Sequence, residues 1–116
     1  MDKQQELKIE DIKVGTGSAV KDGDIVVVHY KGTLEDGTQF DSSYDRKQPF
    51  ETKIGVGYVI KGWDEGIAKL HVGDQATLII PSELGYGAKG SGIIPGDATL
   101  IFVVELMGIK EKPAAN

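Results

Sequence analysis

The sequence predicts an α+β domain in which a twisted antiparallel β-sheet of about five strands wraps around one short α-helix. Three observations predict it. Twelve Ile and 10 Val stand against 7 Leu and 2 Met, and β-branched side chains, stiff at χ1, suit a pleated, half-buried surface. Ile60, Trp63, Ile67 and Leu70 recur at spacings of three, four and three, which makes one helical stripe at the middle of the chain. Sixteen Gly and 4 Pro supply turns without reaching the low-complexity range.

The first strand is expected from Leu7, after a flexible segment at 1–6. Leu7 and Ile9 have one parity and Ile12 and Val14 the other, which predicts a bulge near Glu10 and Asp11 before the stop at Gly15-Thr16-Gly17. Ile25 to Leu34, IVVVHYKGTL, is nearly continuous in apolar residues and predicts a strand covered on both faces. Asp36-Gly37 then signals a two-residue type I′ hairpin, because Gly and Asp tolerate positive φ. The return strand begins near Phe40, is interrupted by the polar, turn-rich Asp41 to Pro49, and resumes over Phe50 to Ile54. The helix follows, carrying Gly62 and Gly66, each of which costs about 1 kcal/mol against Ala. Ala76, Leu78 and Ile80 share the inner face of the next strand, which Pro81 ends for want of a ladder donor. Residues 82–98 form a Gly-rich loop with two bare apolar residues, Ile93 and Ile94. Leu100, Phe102, Val104 and Leu106 alternate in a closing strand. The domain is expected over 7–109, with a loose tail over 110–116.

Length and composition restrict the function. The 116 residues, 40% hydrophobic and 27% charged, suit one globular domain. No Cys is present, which removes disulfides, thiolate nucleophiles and zinc-thiolate sites. A net charge of -5 without a basic stripe makes nucleic acid a poor partner. The longest apolar runs fall far short of the roughly 20 residues that cross a bilayer, so no membrane partner is expected. The charged opening lacks an apolar stretch and the closing KEKPAAN matches no retention signal, so a cytoplasmic location is expected, and the protein is expected to be a monomer. No phosphate-binding glycine motif follows a strand, no Ser lies in a G-x-S-x-G elbow, and His29 and His71 sit in no zinc spacing. Neither metal nor cofactor is expected.

The aromatics carry more information than the charges. By parity Tyr30 points to the same side as Val26 and Val28, and Phe102 to the same side as Leu100 and Val104, so both enter one concave interior. Phe40 and Phe50 flank the excursion, Trp63 lies on the helical stripe, and Tyr86 sits in the Gly-rich loop. Ile and Val suffice to fill a core of this size, whereas each Trp or Tyr brings a polar hydrogen that needs a partner. Aromatics placed beside loops therefore indicate a lined pocket.

VVHYKGTLEDGTQFDSSYDRKQPF (Val27 to Phe50), GYVIKGWDEGI (Gly57 to Ile67) and LGYGAKGSGIIPGDATLIFVVEL (Leu84 to Leu106) resemble, in order and spacing, the FKBP-type peptidyl-prolyl isomerases. The resemblance implies a pocket of Tyr30, Phe40, Asp41, Arg46, Phe50, Val59, Ile60, Trp63, Tyr86, Ile94 and Phe102. It makes Trp63 the floor and Tyr30, Phe40 and Phe102 the walls around a substrate proline. It also assigns the Ile60 N–H and the Tyr86 hydroxyl to substrate carbonyls, and holds Asp41 beside Tyr30 and Arg46. Tyr30, Asp41, Ile60, Tyr86 and Phe102 are then the residues acting on the bond. The implied partners are proline-containing peptides in unfolded or regulatory chains, and the macrolides tacrolimus and rapamycin. Two functions stay open on this ground: a prolyl isomerase that assists folding, or a module that binds proline peptides or macrolides. Two departures stand out. Gly90-Ser91-Gly92 is about one residue shorter than the corresponding loop in common eukaryotic members, and Tyr58 takes a position that often carries a polar or acidic residue.

Overall fold

A computed structural model describes residues 6–110. Its strands are β1 (Lys8–Lys13), β2 (Ile25–Leu34), β3 (Gln39–Ser42), β4 (Phe50–Lys53), β5 (Gln75–Ile80) and β6 (Leu100–Lys110), and its helices are α1 (Ser43–Arg46) and α2 (Lys61–Gly66). The strands form one antiparallel sheet in the order β1-β5-β6-β2-β3, with β4 also on β2. β3 pairs with the Lys31–Thr33 end of β2 and β4 with its Ile25–Val28 end, so the two are one edge strand interrupted by residues 43–49. The sheet is thus five strands wide, curled over α2 and the 3₁₀ turn Ile67–Lys69 that extends it. Two smaller helical pieces accompany it: α1 inside the interruption, capped by the Ser42 side chain, and a 3₁₀ turn at Ser82–Leu84.

The core lies between sheet and helix. Val26, Val28 and Tyr30 of β2, Leu100, Phe102, Val104 and Leu106 of β6, and Ala76, Leu78 and Ile80 of β5 are buried against Trp63, Ile67 and Leu70. The opposite face of β2 departs from the expectation of cover on both sides. Ile25, Val27 and His29 stay half exposed, because the helix packs on the concave side alone. His29 lies on an interior strand, where it stacks on Tyr44 at 4.6 Å and places Nδ1 2.8 Å from the Ser43 hydroxyl.

The helix glycines have a packing reason. A Cβ on Gly62 would lie 2.5 Å from the Ile80 side chain, and one on Gly66 3.1 Å from Leu78. Their absence lets α2 lie directly on β5, and the burial gained offsets the poor helix propensity of glycine.

Two local details differ from the sequence reading, and the bulge expected near Glu10 and Asp11 is placed more closely. The Asp36-Gly37 turn is not type I′. Gly37 alone has positive φ (93°), while the Asp36 side chain accepts from the Thr38 N–H at 2.8 Å, so the connection is a three-residue loop between Leu34 and Thr38. The bulge of β1 falls between Asp11 and Lys13, since Lys8 to Asp11 keep one register with Ile79 to Ala76. Lys110, expected to begin a loose tail, is the last residue of β6, paired with Ile25 and bonded to Glu51 at 3.2 Å. The remaining residues of the segments expected to be flexible, 1–5 and 111–116, lie outside the described residues.

Candidate functional site

Between the concave face and α2 opens a cavity of about 850 Å³. β2 contributes Tyr30, which follows Val26 and Val28 on the inward parity. β6 contributes Phe102, two rungs from Tyr30: Phe102 pairs with Gly32 and Val104 with Tyr30. On β3 the register slips, because Gly32 pairs with Asp41 but Thr33 with Gln39. Phe40 is the extra residue. Bulges re-aim side chains, and this one brings Phe40 onto Phe102 at 5.4 Å and 88°. Phe50 opens β4 on the far side of the interruption and also lines the cavity.

Trp63 forms the base, only 4% exposed. Tyr30, Phe50 and Phe102 meet its indole edge to face, at centroid distances of 5.0, 5.9 and 5.3 Å. Its indole N–H is sealed from solvent and meets no oxygen or nitrogen acceptor among the described residues.

The polar corner is built from Tyr30, Asp41 and Arg46. The Tyr30 hydroxyl donates to Asp41 Oδ2 at 2.6 Å, Arg46 Nη1 donates to Asp41 Oδ1 at 2.5 Å, and Arg46 Nη2 donates to the Tyr30 hydroxyl at 2.8 Å. Burial pulls the Asp41 pKa up, but the Tyr30 hydroxyl, the Arg46 guanidinium and the Ser42 N–H outweigh it and hold the carboxyl below its usual value. Tyr30 shifts upward, first because burial disfavours the phenolate and then because its proton is shared with Asp41. A carboxylate fixed in this way is a poor proton shuttle. It orients the phenol.

The loop before α2 supplies Val59 and Ile60, both half-buried, and Tyr58, 70% exposed at the rim. The Ile60 carbonyl accepts from the N–H groups of Trp63 and Asp64, and its own N–H donates to no described residue. On the opposite rim, Tyr86 is half exposed and its hydroxyl has no partner among the described residues. Ser91 and Ile94 exchange backbone hydrogen bonds at 2.9 and 2.8 Å. This tight turn buries Ile94 and turns Ile93 outward, so the shortened loop still reaches the cavity.

The structure therefore brings every expected site residue but Arg46 onto the cavity wall. Arg46 stands behind it, its guanidinium 5.6 Å from the centre of the Tyr30 ring. Gly57, Ser91, Gly92 and Ile93 also line the cavity and were not singled out as site residues from the sequence. The signal for Ile93 was present, since a bare Ile in a Gly-rich loop has no core to enter. Gly32 left no signal: only the fold shows that a Cβ there would meet the Phe40 and Phe102 rings at 2.7 and 2.8 Å.

Residues 16–107 match the family model of the FKBP-type peptidyl-prolyl cis-trans isomerases. The chain is 56% identical to "FK506-binding protein 1A" of Aspergillus fumigatus over 81% of its own length and 85% of that protein. It is 54% identical to an "FK506-binding protein" of Neisseria meningitidis, over 90% of this chain and 97% of that one. Among solved structures, AtFKBP13 superposes with a TM-score of 0.87 at 41% identity, covering 90% of this chain and 93% of that one. FkpA from Escherichia coli gives 0.85 at 46% identity, with 92% of this chain covering 49% of that one. Likeness of this extent, in sequence and in architecture alike, makes the chain a member of the FKBP-type peptidyl-prolyl cis-trans isomerases, enzymes that rotate X-Pro peptide bonds.

Proposed function

We propose that the cavity receives the ring of a substrate proline on Trp63, between Tyr30, Phe40 and Phe102, and that rotation occurs there without any covalent step. The single observation that carries this reading is the sealed aromatic base, three rings packed edge to face around a buried indole. Resonance gives the peptide C–N bond a rotational barrier of about 18–20 kcal/mol, and the planar ground state is more polar than the twisted transition state. A dry apolar wall disfavours the planar form more, while the Ile60 N–H and the Tyr86 hydroxyl, without a partner among the described residues, are suited to hold the flanking carbonyls as the bond twists. A rate gain of about 10⁵ requires only about 7 kcal/mol, within reach of shape complementarity and a few hydrogen bonds. Asp41, tied to Tyr30 and Arg46, keeps the wall in place and transfers no proton.

The same wall suits tacrolimus and rapamycin, whose pipecolyl ring is a six-membered relative of proline; the relatives' names point the same way. Clients in this reading are unfolded or regulatory chains, whose slow X-Pro bonds limit folding. The enzyme acts as a monomer in the cytoplasm. The charged edge strand β1, KIEDIK, supports the monomer because charged residues on an edge strand discourage edge-to-edge pairing, and a cysteine-free sequence is compatible with that compartment. The experiment is exchange NMR on a Leu-Pro peptide with catalytic amounts of protein. Accelerated exchange that tacrolimus abolishes is expected, and exchange that tacrolimus leaves untouched rejects this cavity as its seat.

A further inference from the structure

Asp64 follows the Trp63 floor on α2, yet its side chain serves neither the cavity nor the helix. Oδ1 accepts from the Gly55 N–H at 2.8 Å and Oδ2 from the Gly57 N–H at 2.9 Å. Both glycines have positive φ, 84° and 85°, a conformation that turns their amides toward the carboxylate and that a longer side chain resists. One step beyond Gly57 begins the Tyr58-Val59-Ile60 wall. Ile60, the N-cap of α2, makes no side-chain cap bond, and the acid of the first turn, Asp64, is committed to the loop. β4 ends at Lys53 and α2 begins at Lys61, so residues 55–60 belong to no ladder, and the backbone hydrogen bonds of Ile54 to Gly23 and Asp24 are the last before them. Asp64 is thus the side chain that ties the loop to the floor of the cavity.

We propose that Asp64 is a positioning residue of the isomerase: its carboxylate holds the 55–60 loop in place before substrate arrives, so that Val59 and the Ile60 N–H are preorganised. This rests on the cavity being the substrate site. The kinetic consequence follows from preorganisation. A loop that is only partly in place lowers apparent affinity by the fraction in place, while in the bound complex the loop is ordered and the chemical step proceeds as before. Loss of the clamp therefore raises KM and spares kcat. Simple destabilisation does the reverse, reducing the number of active molecules and leaving KM alone.

The test compares wild type, Asp64→Asn, Asp64→Glu and the control Val20→Ala, buried in the core and outside the cavity lining, using KM and kcat from NMR exchange on a Leu-Pro peptide and amide hydrogen exchange at Gly55 and Gly57. Asn has one acceptor oxygen and sets its NH₂ against the other glycine amide. We expect Asp64→Asn to raise KM by about tenfold with kcat within about twofold, and to speed exchange at both glycines, as a shift from a mostly ordered to a mostly open loop requires. Asp64→Glu, which keeps two acceptors, should recover most of the KM. Val20→Ala should lower the melting temperature without changing KM. An Asp64→Asn enzyme with wild-type KM, or with reduced kcat at unchanged KM, overturns this inference alone. Wild-type exchange that is not accelerated overturns the cavity reading and this inference with it.

Discussion

Gly32 lies directly across the β2–β6 ladder from Phe102, and a Cβ there would come within 2.8 Å of the Phe102 ring and 2.7 Å of the Phe40 ring. Two walls of the cavity thus meet over a missing side chain. Gly32→Ala should fold, since overpacking costs about 1–3 kcal/mol, yet it should displace both rings. We expect kcat/KM on a proline peptide to fall by about tenfold, as small misplacements at a site do. Unchanged kcat/KM would show that the rings have room to move.

Trp63 is the only Trp in the chain, buried at the base of the cavity. Titration with tacrolimus should change its emission to saturation at a 1:1 ratio. A binding isotherm by calorimetry with no accompanying spectral change would remove Trp63 from the binding surface.

Phe102 is 4% exposed and Tyr86 41%. Phe102→Ala should lose about 3–5 kcal/mol of stability together with activity, as large buried aromatic truncations do. Tyr86→Phe removes a hydroxyl that bonds no described residue, so its melting temperature should match wild type while kcat/KM falls by up to about tenfold, the weight of one hydrogen bond. A stability loss in Tyr86→Phe equal to that of Phe102→Ala would make Tyr86 a core residue.

The pH dependence follows from three shifts. Asp41 is held below its ordinary 3.8, so its contribution to stability is complete above that value and is lost as pH falls through the lowered one. Tyr30 lies above 10.0, and Tyr44 is pushed up to about 12 by burial and by its bond to Glu105. Their contributions are complete below 10 and are lost as pH rises through the raised values. Thermal melts should therefore lose stability from these groups only at the acid and alkaline extremes. Activity should be flat from about pH 6 to 9, because histidines are the side chains that ordinarily titrate there and His29 faces away from Tyr30. A bell-shaped profile that His29→Gln abolishes would make proton transfer part of the reaction.

The inward positions were legible wherever strict alternation governs a strand. Val26, Val28 and Tyr30 could be placed beside Leu100, Phe102 and Val104 without coordinates, because period two leaves a single choice of face. The uninterrupted apolar run of β2 misled on its outer face, since alternation cannot show whether a layer exists to cover it. The cavity aromatics were legible as residues that a core of Ile and Val did not need. Positions that matter through what they lack were not. Gly62 and Gly66 read only as a penalty, and the close approach of α2 to β5 that offsets it exists only in three dimensions. The place of Arg46 behind the wall was hidden for a related reason: a sequence shows that a cation is near, but not which side of a phenol it occupies.

The interrupted edge strand has a consequence for how such an enzyme can diversify. Ser42 and Phe50 take their places from Lys31 and Val28 of one strand, a separation of about 10 Å at 3.3 Å per residue. Residues 43–49 bridge it with slack, anchored at both ends by a ladder they do not belong to. The exposed residues 47–49 can change in number and kind while Ser43 and Arg46, both bonded to Tyr30, and Phe40, Asp41 and Phe50 keep their posts. The sheet thereby offers a mounting bracket, on which a different cassette could be hung to meet different chains without the floor or the walls being rebuilt.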